Sequence, residues 1–275
     1  MKSPFLYPGS KGKASDLKQI RLLIPEHQVY YEPFVGSGSI FLNNTRTPSE
    51  INLSDINTDL ITCYKSIQSH SEAICGLLPN WNPIDVSEEQ YRGYWNAQKN
   101  NKSDILSDIG ARFIFLNRTS FQGLGGILAQ KDTRYNPKII KNRIIEMGLK
   151  LKNATLRCIS AIEAIKNDIL NDEAFFFLDP PYIGSNNKAC YKHDSWKESD
   201  LRELESMLSG SKAKWLLTHE NTELIRDIFG RYNSFEYNWR KMKVGGDEDS
   251  SEIYIANYDI RSIISAKYID LYDMD

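Results

Sequence analysis

A run of five residues with no polar side chain, Ala174-Phe175-Phe176-Phe177-Leu178, stops abruptly at Asp179-Pro180-Pro181-Tyr182. Runs this short and apolar, closed by turn residues, read as central strands of a parallel sheet, buried on both faces. Parallel strands need crossover connections, so the expected fold class is α/β. In open sheets of this class the reacting groups sit just beyond the carboxyl ends of the strands. Asp179 is thereby delivered to a crevice, while two prolines stiffen the backbone and remove two N–H donors. Acceptors remain, the Asp179 carboxylate and the carbonyls of the turn, followed by the ring of Tyr182. The set suits a flat group that carries N–H donors, such as the exocyclic amino group of a nucleobase. Taken alone, the tetrapeptide reads equally well as a surface turn.

A second motif lies upstream. Tyr30-Tyr31-Glu32-Pro33-Phe34-Val35-Gly36-Ser37-Gly38-Ser39 runs from strand-like residues into a glycine-rich turn, and Ile40-Phe41-Leu42 opens a helix. Glycine permits tight turning and close approach of the backbone to a ligand. Seventeen residues after Gly38, Leu53-Ser54-Asp55-Ile56-Asn57 puts an acid at the end of a second short strand. That is where a ribose diol is held in a doubly wound fold. The third glycine of a dinucleotide fingerprint is missing, which suits a nucleoside without a pyrophosphate.

Together these elements resemble the Dam-type N6-adenine DNA methyltransferases, the alpha-group of the D12 class. Tyr7-Pro8-Gly9-Ser10-Lys11 is similar to that family's opening motif, Glu32 to Gly38 to its cofactor loop, and Asp55 to its ribose-binding acid. Asp179-Pro180-Pro181-Tyr182 is similar to its catalytic motif. Asn117-Arg118-Thr119-Ser120-Phe121-Gln122-Gly123 resembles the start of its DNA-reading segment, and Ser251 to Tyr258 its closing strand. The motifs occur in the family's order over nearly the whole chain.

The resemblance implies a Rossmann-like sheet, mostly parallel with an antiparallel closing strand. It implies S-adenosyl-L-methionine as cofactor, held by Tyr7, Pro8, Gly9, Lys11, Glu32, Pro33, Phe34, Gly36, Ser37, Gly38, Asp55, Ile56 and Asp179. Tyr7 and Lys11 would close over its methionine end. One position departs from the family, because Ser160 stands where an acid usually meets the cofactor's adenine; Glu163 is the alternative for that role. The Asn-x-Pro-aromatic-Gly stretch of GATC-specific members is absent. Arg134-Tyr135-Asn136-Pro137-Lys138 takes its place, so GATC is not the expected recognition sequence.

Charge supports a nucleic-acid partner only when divided along the chain. The net charge is −2, yet residues 109 to 157 hold ten Lys and Arg against Asp132 and Glu146 alone. That local +8 leaves −10 for the remainder. A chain polarised in this way can bind a polyanion with one face and stay soluble. Arg118 and Arg134, flanking a glycine-rich segment, are the candidates for base edges, since guanidinium reads guanine in bidentate fashion; bracing of the insertion through a buried carboxylate is the alternative for Arg118. Lys131, Lys138 and Lys141 join Ser120, Phe121, Gln122 and Gly123 in the expected DNA surface, with Lys150 and Lys152 as further phosphate contacts. A solvated basic helix face is the competing reading of the lysines.

The expected organisation is a split domain. Residues 1–65 and 154–275 form the catalytic part, and 66–153 a mainly helical inserted target-recognition domain. Phe235 to Trp239 and Glu252 to Tyr258 read as closing strands, with Lys241 to Ser251 as a mobile loop between them. The four cysteines show no metal-ligand spacing, so no metal is expected, and Cys158 reads as a buried small hydrophobe. Neither a leader nor a run of eighteen apolar residues occurs, and a cytoplasmic monomer is expected. The expected partner is double-stranded DNA; a cognate restriction endonuclease, a phage setting and a solitary methylase are all open. Transfer to cytosine N4 or to RNA, and an inactive DNA-binding module of the same fold, are the alternatives.

Overall fold

The structure is a computed structural model that describes residues 1–7, 9–79, 87–100, 105–120, 123, 128, 135–166, 168–183, 196–243 and 246–265. Its seven strands are β1 (Val29–Glu32), β2 (Glu50–Asp55), β3 (Ala154–Cys158), β4 (Ala174–Leu178), β5 (Lys214–Glu220), β6 (Asn233–Lys243) and β7 (Gly246–Ala256). They form one sheet in the order β3-β2-β1-β4-β5-β7-β6. The helices are α1 (Ala14–Leu23), α2 (Ser39–Asn43), α3 (Thr58–Leu77), α4 (Glu88–Lys99), α5 (Leu106–Thr119), α6 (Pro137–Leu151), α7 (Ala161–Lys166), α8 (Glu198–Ser209) and α9 (Glu223–Phe229). Strand–helix alternation around a mostly parallel sheet is the α/β class expected from the apolar run and the Rossmann-like sheet that the resemblance implies.

The chain divides into two compact units. One comprises Met1–Leu17, Val35–Asn43 and Leu53–Cys158; the other comprises Lys18–Phe34, Asn44–Asn52 and Ile159–Asp275. In the second unit β4 pairs in parallel with β1 and with β5, and every residue of β4 is buried. Tyr31, Phe176, Leu178, Trp215, Leu217, Ile253 and Ile255 share one core cluster with Leu201, Leu204 and Leu208 of α8 and Ile225 and Phe229 of α9. Tyr31 stacks on Phe176 at 4.5 Å. Phe175 alternates to the other face, against Tyr30 and His27. Alternation across a strand with both faces covered is why no polar residue interrupts β4. Strand order reverses between β1 and β4, so the carboxyl ends of these two strands form the switch point where ligands of such sheets bind.

The closing hairpin differs from expectation. β7 runs antiparallel to both β5 and β6, and the β6–β7 pairing continues to Lys243↔Gly246. Residues 241–243 and 246–251 therefore belong to strands and not to a loop. The register sets Arg240 opposite Asp249 and Lys241 opposite Glu248, positions with no apolar alternation to signal a strand. Cys158 is also corrected: it is exposed, on the edge strand β3, with its thiol against the Ile56 carbonyl at 3.6 Å. An edge strand lacks a neighbour on one side, so even a short apolar side chain there can face water.

In the first unit the described helices α3, α5 and α6 pack together. Gly110 allows the closest approach, because a Cβ there would lie 2.4 Å from Ser66 Oγ. Asn57 caps α3 and Asn136 caps α6, each side chain accepting a backbone N–H three residues on.

Stability should carry a signature of His27. Burial lowers its pKa from 6.5, outweighing the Pro25 carbonyl and Glu26, which raise it. Its Nδ1 lies 2.9 Å from the Pro25 carbonyl and its Nε2 3.4 Å from Asn44 Nδ2, an arrangement that suits the neutral ring. The unfolded chain thus binds this proton first. The contribution of neutral His27 is full above about pH 6.5 and is lost as pH falls through the depressed folded value. Urea midpoints of the wild type and of His27→Gln should converge as pH is lowered from 7.5 to 5. A difference independent of pH would remove His27 as the cause.

Candidate active site

The Asp179 turn is built within the second unit. β4 ends at Leu178, whose register partner on β5 is Leu217. The next residues in each strand are therefore Asp179 and Thr218, and the Thr218 hydroxyl donates to Asp179 Oδ1 at 2.7 Å. Thr218 is fully buried while Asp179 is half-buried, so the carboxylate is held from the core side. A carboxylate accepts several donors, and one bond from Thr218 fixes its rotation without using up its capacity. Pro180 is buried and Pro181 half-buried behind it. Tyr182 is half-buried; its hydroxyl donates to Glu252 Oε1 at 2.9 Å, and its ring lies 4.6 Å from that of His219, tilted by 32°. At the end of β1, Glu32 is buried and accepts the Tyr30 hydroxyl at 2.8 Å. Burial and the Glu32 charge raise the Tyr30 pKa, which keeps the phenol a donor. Pro33 is buried and Phe34 meets Trp196 edge-on at 5.1 Å. Ser160 caps α7, its hydroxyl accepting the Glu163 N–H at 3.2 Å.

The glycine turn that continues from β1 is built within the first unit. Gly36 and Gly38 have φ of 44° and 66°. The Gly36 N–H donates to Asp55 Oδ2 at 3.0 Å, and the Asn57 N–H to Asp55 Oδ1 at 2.9 Å. The expected ribose acid thus also anchors the turn. Tyr64 of α3, fully buried, donates to the Gly36 carbonyl at 3.0 Å. The Tyr7 ring lies over Gly36, 3.1 Å from where a Cβ would stand. The hydroxyls of Ser10, Ser37 and Ser39 form a triangle with sides of 2.7, 2.8 and 3.0 Å. Lys11 is buried, Gly9 has φ of 73°, and Ile56 is exposed beside Asp55. Tyr7 and Asp55 thus both meet Gly36, and Ser10 meets Ser37.

The Asn-Arg segment corrects an expectation. Asn117 and Arg118 are buried, with backbone groups of the amino-terminal segment as partners. Asn117 Oδ1 accepts the Leu6 N–H at 2.7 Å, and its Nδ2 donates to the carbonyls of Leu6 at 2.7 Å and Gly123 at 3.0 Å. Arg118 donates to the carbonyls of Pro4 at 2.6 Å and Ser3 at 2.9 Å. These side chains brace the segment that leads to Tyr7, which answers the need of a buried loop for backbone partners. Ser120 is fully buried too, and Gly123, with φ of 77°, packs against Leu6. Lys138 is exposed and Lys141 half-buried on α6. Pro8, Phe121, Gln122, Lys131 and Arg134 lie outside the described residues.

Tyr64, Thr218, His219 and Glu252 were not singled out as site residues in the sequence. Thr218 and His219 were within reach, since β5 ends at the same sheet edge as β4 and the rule that isolated Asp179 applies equally there. Tyr64 sits among Leu60, Ile61 and Ile67 on α3 and carries the same signal as any core aromatic. Among the described residues no group of three or more His, Cys, Asp or Glu could hold a metal ion. No described helix is long and apolar enough to cross a membrane.

A family model described as D12 class N6 adenine-specific DNA methyltransferase matches residues 7–243. The chain is 26% identical over 270 residues to the Type II methyltransferase M1.LlaDCHI of Lactococcus lactis subsp. cremoris, covering 90% of this chain and 93% of the relative. It is 27% identical to the Type II methyltransferase M.MjaIII of Methanocaldococcus jannaschii, covering 93% and 99%. It is also 27% identical to the DNA adenine methylase of Escherichia coli K12, covering 80% and 82%. A family match over most of the length, with the Asp179 turn and the Asp55-anchored glycine turn both formed, means that this chain belongs to the D12 class N6 adenine-specific DNA methyltransferase family.

Proposed function

We propose that the chain transfers the methyl group of S-adenosyl-L-methionine to the N6 amino group of an adenine turned out of duplex DNA. The observation that carries this reading is the Asp179 carboxylate, fixed by Thr218 at the end of a buried central strand, with the half-buried ring of Tyr182 three residues on.

The residues of the glycine turn fit the cofactor. Gly36 leaves room that a Cβ would fill against Tyr7, Asp55 offers a carboxylate suited to a ribose diol, and Lys11 with the Ser10, Ser37 and Ser39 hydroxyls suits an amino-acid end. When bound, S-adenosyl-L-methionine supplies a methyl group already activated by its sulfonium. Asp179 accepts one N–H of the adenine amino group and the Pro180 carbonyl the other. Both acceptors stabilise the positive charge that develops on nitrogen as its lone pair leaves conjugation with the ring. Fixed orientation supplies a further part of the acceleration. Turning the base out costs ~ a few kcal/mol. Stacking on Tyr182 offsets roughly 1–3 kcal/mol of that cost.

Residues 66–153 serve in this reading as the target-recognition region, with Lys138, Lys141, Lys150 and Lys152 as phosphate contacts and Arg134 as a base reader. Asn117 and Arg118 contribute by holding the opening motif. The relatives named Type II methyltransferases support a setting beside a restriction endonuclease.

A labelled-methyl assay with duplex DNA, RNA and protein offered separately tests the reading. Label is expected in DNA alone, and label in RNA or protein would overturn it. A binding test addresses the pocket. Asp55→Ala removes a charge-assisted acceptor, an effect of ~1.5–3 kcal/mol. The cofactor dissociation constant should rise roughly 10- to 150-fold by calorimetry. Unchanged affinity would place the ribose acid elsewhere.

A further inference from the structure

We propose that Glu252 is a positioning residue for the acceptor base and acts through the hydroxyl of Tyr182. The inference rests on reading Asp179 and Tyr182 as the acceptor site, and it adds β7 to the machinery. Glu252 is buried, in a strand otherwise occupied nearby by Ile253, Tyr254 and Ile255. A carboxylate there is costly to bury unless it has partners. One partner is the Tyr182 hydroxyl at 2.9 Å, across 70 residues of sequence.

A tyrosine that follows two prolines could rotate about χ1 and χ2, and its usefulness as a stacking platform depends on the plane of its ring. Glu252 and His219 both act on that plane. Glu252 fixes the far end of the ring through the hydroxyl, and His219 supports its body at 4.6 Å with a 32° tilt. His219 is itself buried, with Nδ1 3.0 Å from the Glu220 carbonyl, so the support is anchored. β5 and β7 are paired here, His219 opposite Ile253 and Glu220 opposite Glu252. The two strands thus hold the acceptor residues by two bonds, Thr218 to Asp179 and Glu252 to Tyr182. A base that stacks on a ring already in place loses less orientational freedom at the moment of reaction.

The test is a double-mutant cycle on unmethylated plasmid DNA, with kcat and both KM values measured for Glu252→Ala, Tyr182→Phe and the double variant. Each single change should lower kcat about fivefold to tenfold, less than the full worth of one hydrogen bond to a charged group because the bond acts only through the orientation of the ring, and leave KM for the cofactor in place. The double variant should be no slower than the worse single one, because both remove the same contact. Glu252→Gln, which keeps an acceptor oxygen, should recover most of the alanine loss when Tyr182 is present and make no difference beside Tyr182→Phe. Multiplied losses in the double variant, or a glutamine no better than alanine, would overturn the proposal. If Glu252→Ala does not fold, Glu252→Met, which removes the acceptor while filling the same space, closes the cycle instead. Asp179→Ala, run in parallel, separates the two readings. A turnover that survives it defeats the acceptor-site assignment, whereas its loss together with an additive cycle defeats only the role of Glu252.

Discussion

Asp179→Ala is expected to lower kcat by about 10²–10³-fold or more, on the scale of removing one preorganised group that stabilises transition-state charge. The side chain stands at the carboxyl end of the buried strand β4, where its position is set by the sheet and its rotation by Thr218. Alanine keeps the strand, the two prolines and Tyr182, but leaves the amino group with the Pro180 carbonyl alone. The residues around Gly36 and Asp55, to which the cofactor is assigned by proposal, are held by separate hydrogen bonds, so cofactor affinity should change much less than kcat. Asp179→Asn separates charge from shape. It preserves an acceptor oxygen for Thr218 but lacks the negative charge, and should stay closer to alanine than to the wild type. Single-turnover rates at saturating cofactor measure this, and a variant retaining most of its turnover would remove Asp179 from the chemistry.

Gly38→Ala should be nearly as damaging, by a different route. Gly38 has φ of 66°, where an L-residue costs roughly 1–2 kcal/mol. The added Cβ would also lie 2.5 Å from the Tyr64 hydroxyl, the group that holds the Gly36 carbonyl. Relief requires Tyr64 to move, and Tyr64 is fully buried. Overpacking of a buried site costs typically ~1–3 kcal/mol. The expected outcome is a destabilisation of roughly 2–5 kcal/mol together with a loss of cofactor affinity, since the turn cannot keep its shape without Tyr64. Gly93→Ala in α4 provides the contrast, because a Cβ there meets nothing within 4 Å and should stabilise by ~0.5–1 kcal/mol. Urea denaturation and calorimetry on both variants check the pair. Equal behaviour of the two would mean that the turn tolerates a side chain.

The central part of this fold was legible because its signals are local. A wholly apolar run before Asp179 identifies a strand buried on both faces, and the glycines before Asp55 identify a turn that needs left-handed backbone. Of the site's supports, only the strand end that carries Thr218 and His219 was within reach, and the bonds themselves depend on distant pairings. Thr218 reaches Asp179 across 39 residues, and Glu252 reaches Tyr182 across 70. Asn117 and Arg118 show the same limit in reverse. Their residue types suit nucleic acid, but the carbonyls of Ser3, Pro4 and Leu6 that use them lie more than 100 positions away in the amino-terminal segment. The hairpin tip was missed for a further reason, since paired backbone with no apolar face leaves no period to detect.

Nucleoside analysis of DNA methylated by the purified chain addresses the central claim most directly. Duplex DNA free of modified bases is incubated with S-adenosyl-L-methionine, digested to nucleosides and resolved by mass spectrometry, beside a reaction with Asp179→Ala. The account predicts N6-methyl-2′-deoxyadenosine in the wild-type reaction and none in the variant. N4-methyl-2′-deoxycytidine as the product, or equal methylation by the variant, would contradict it.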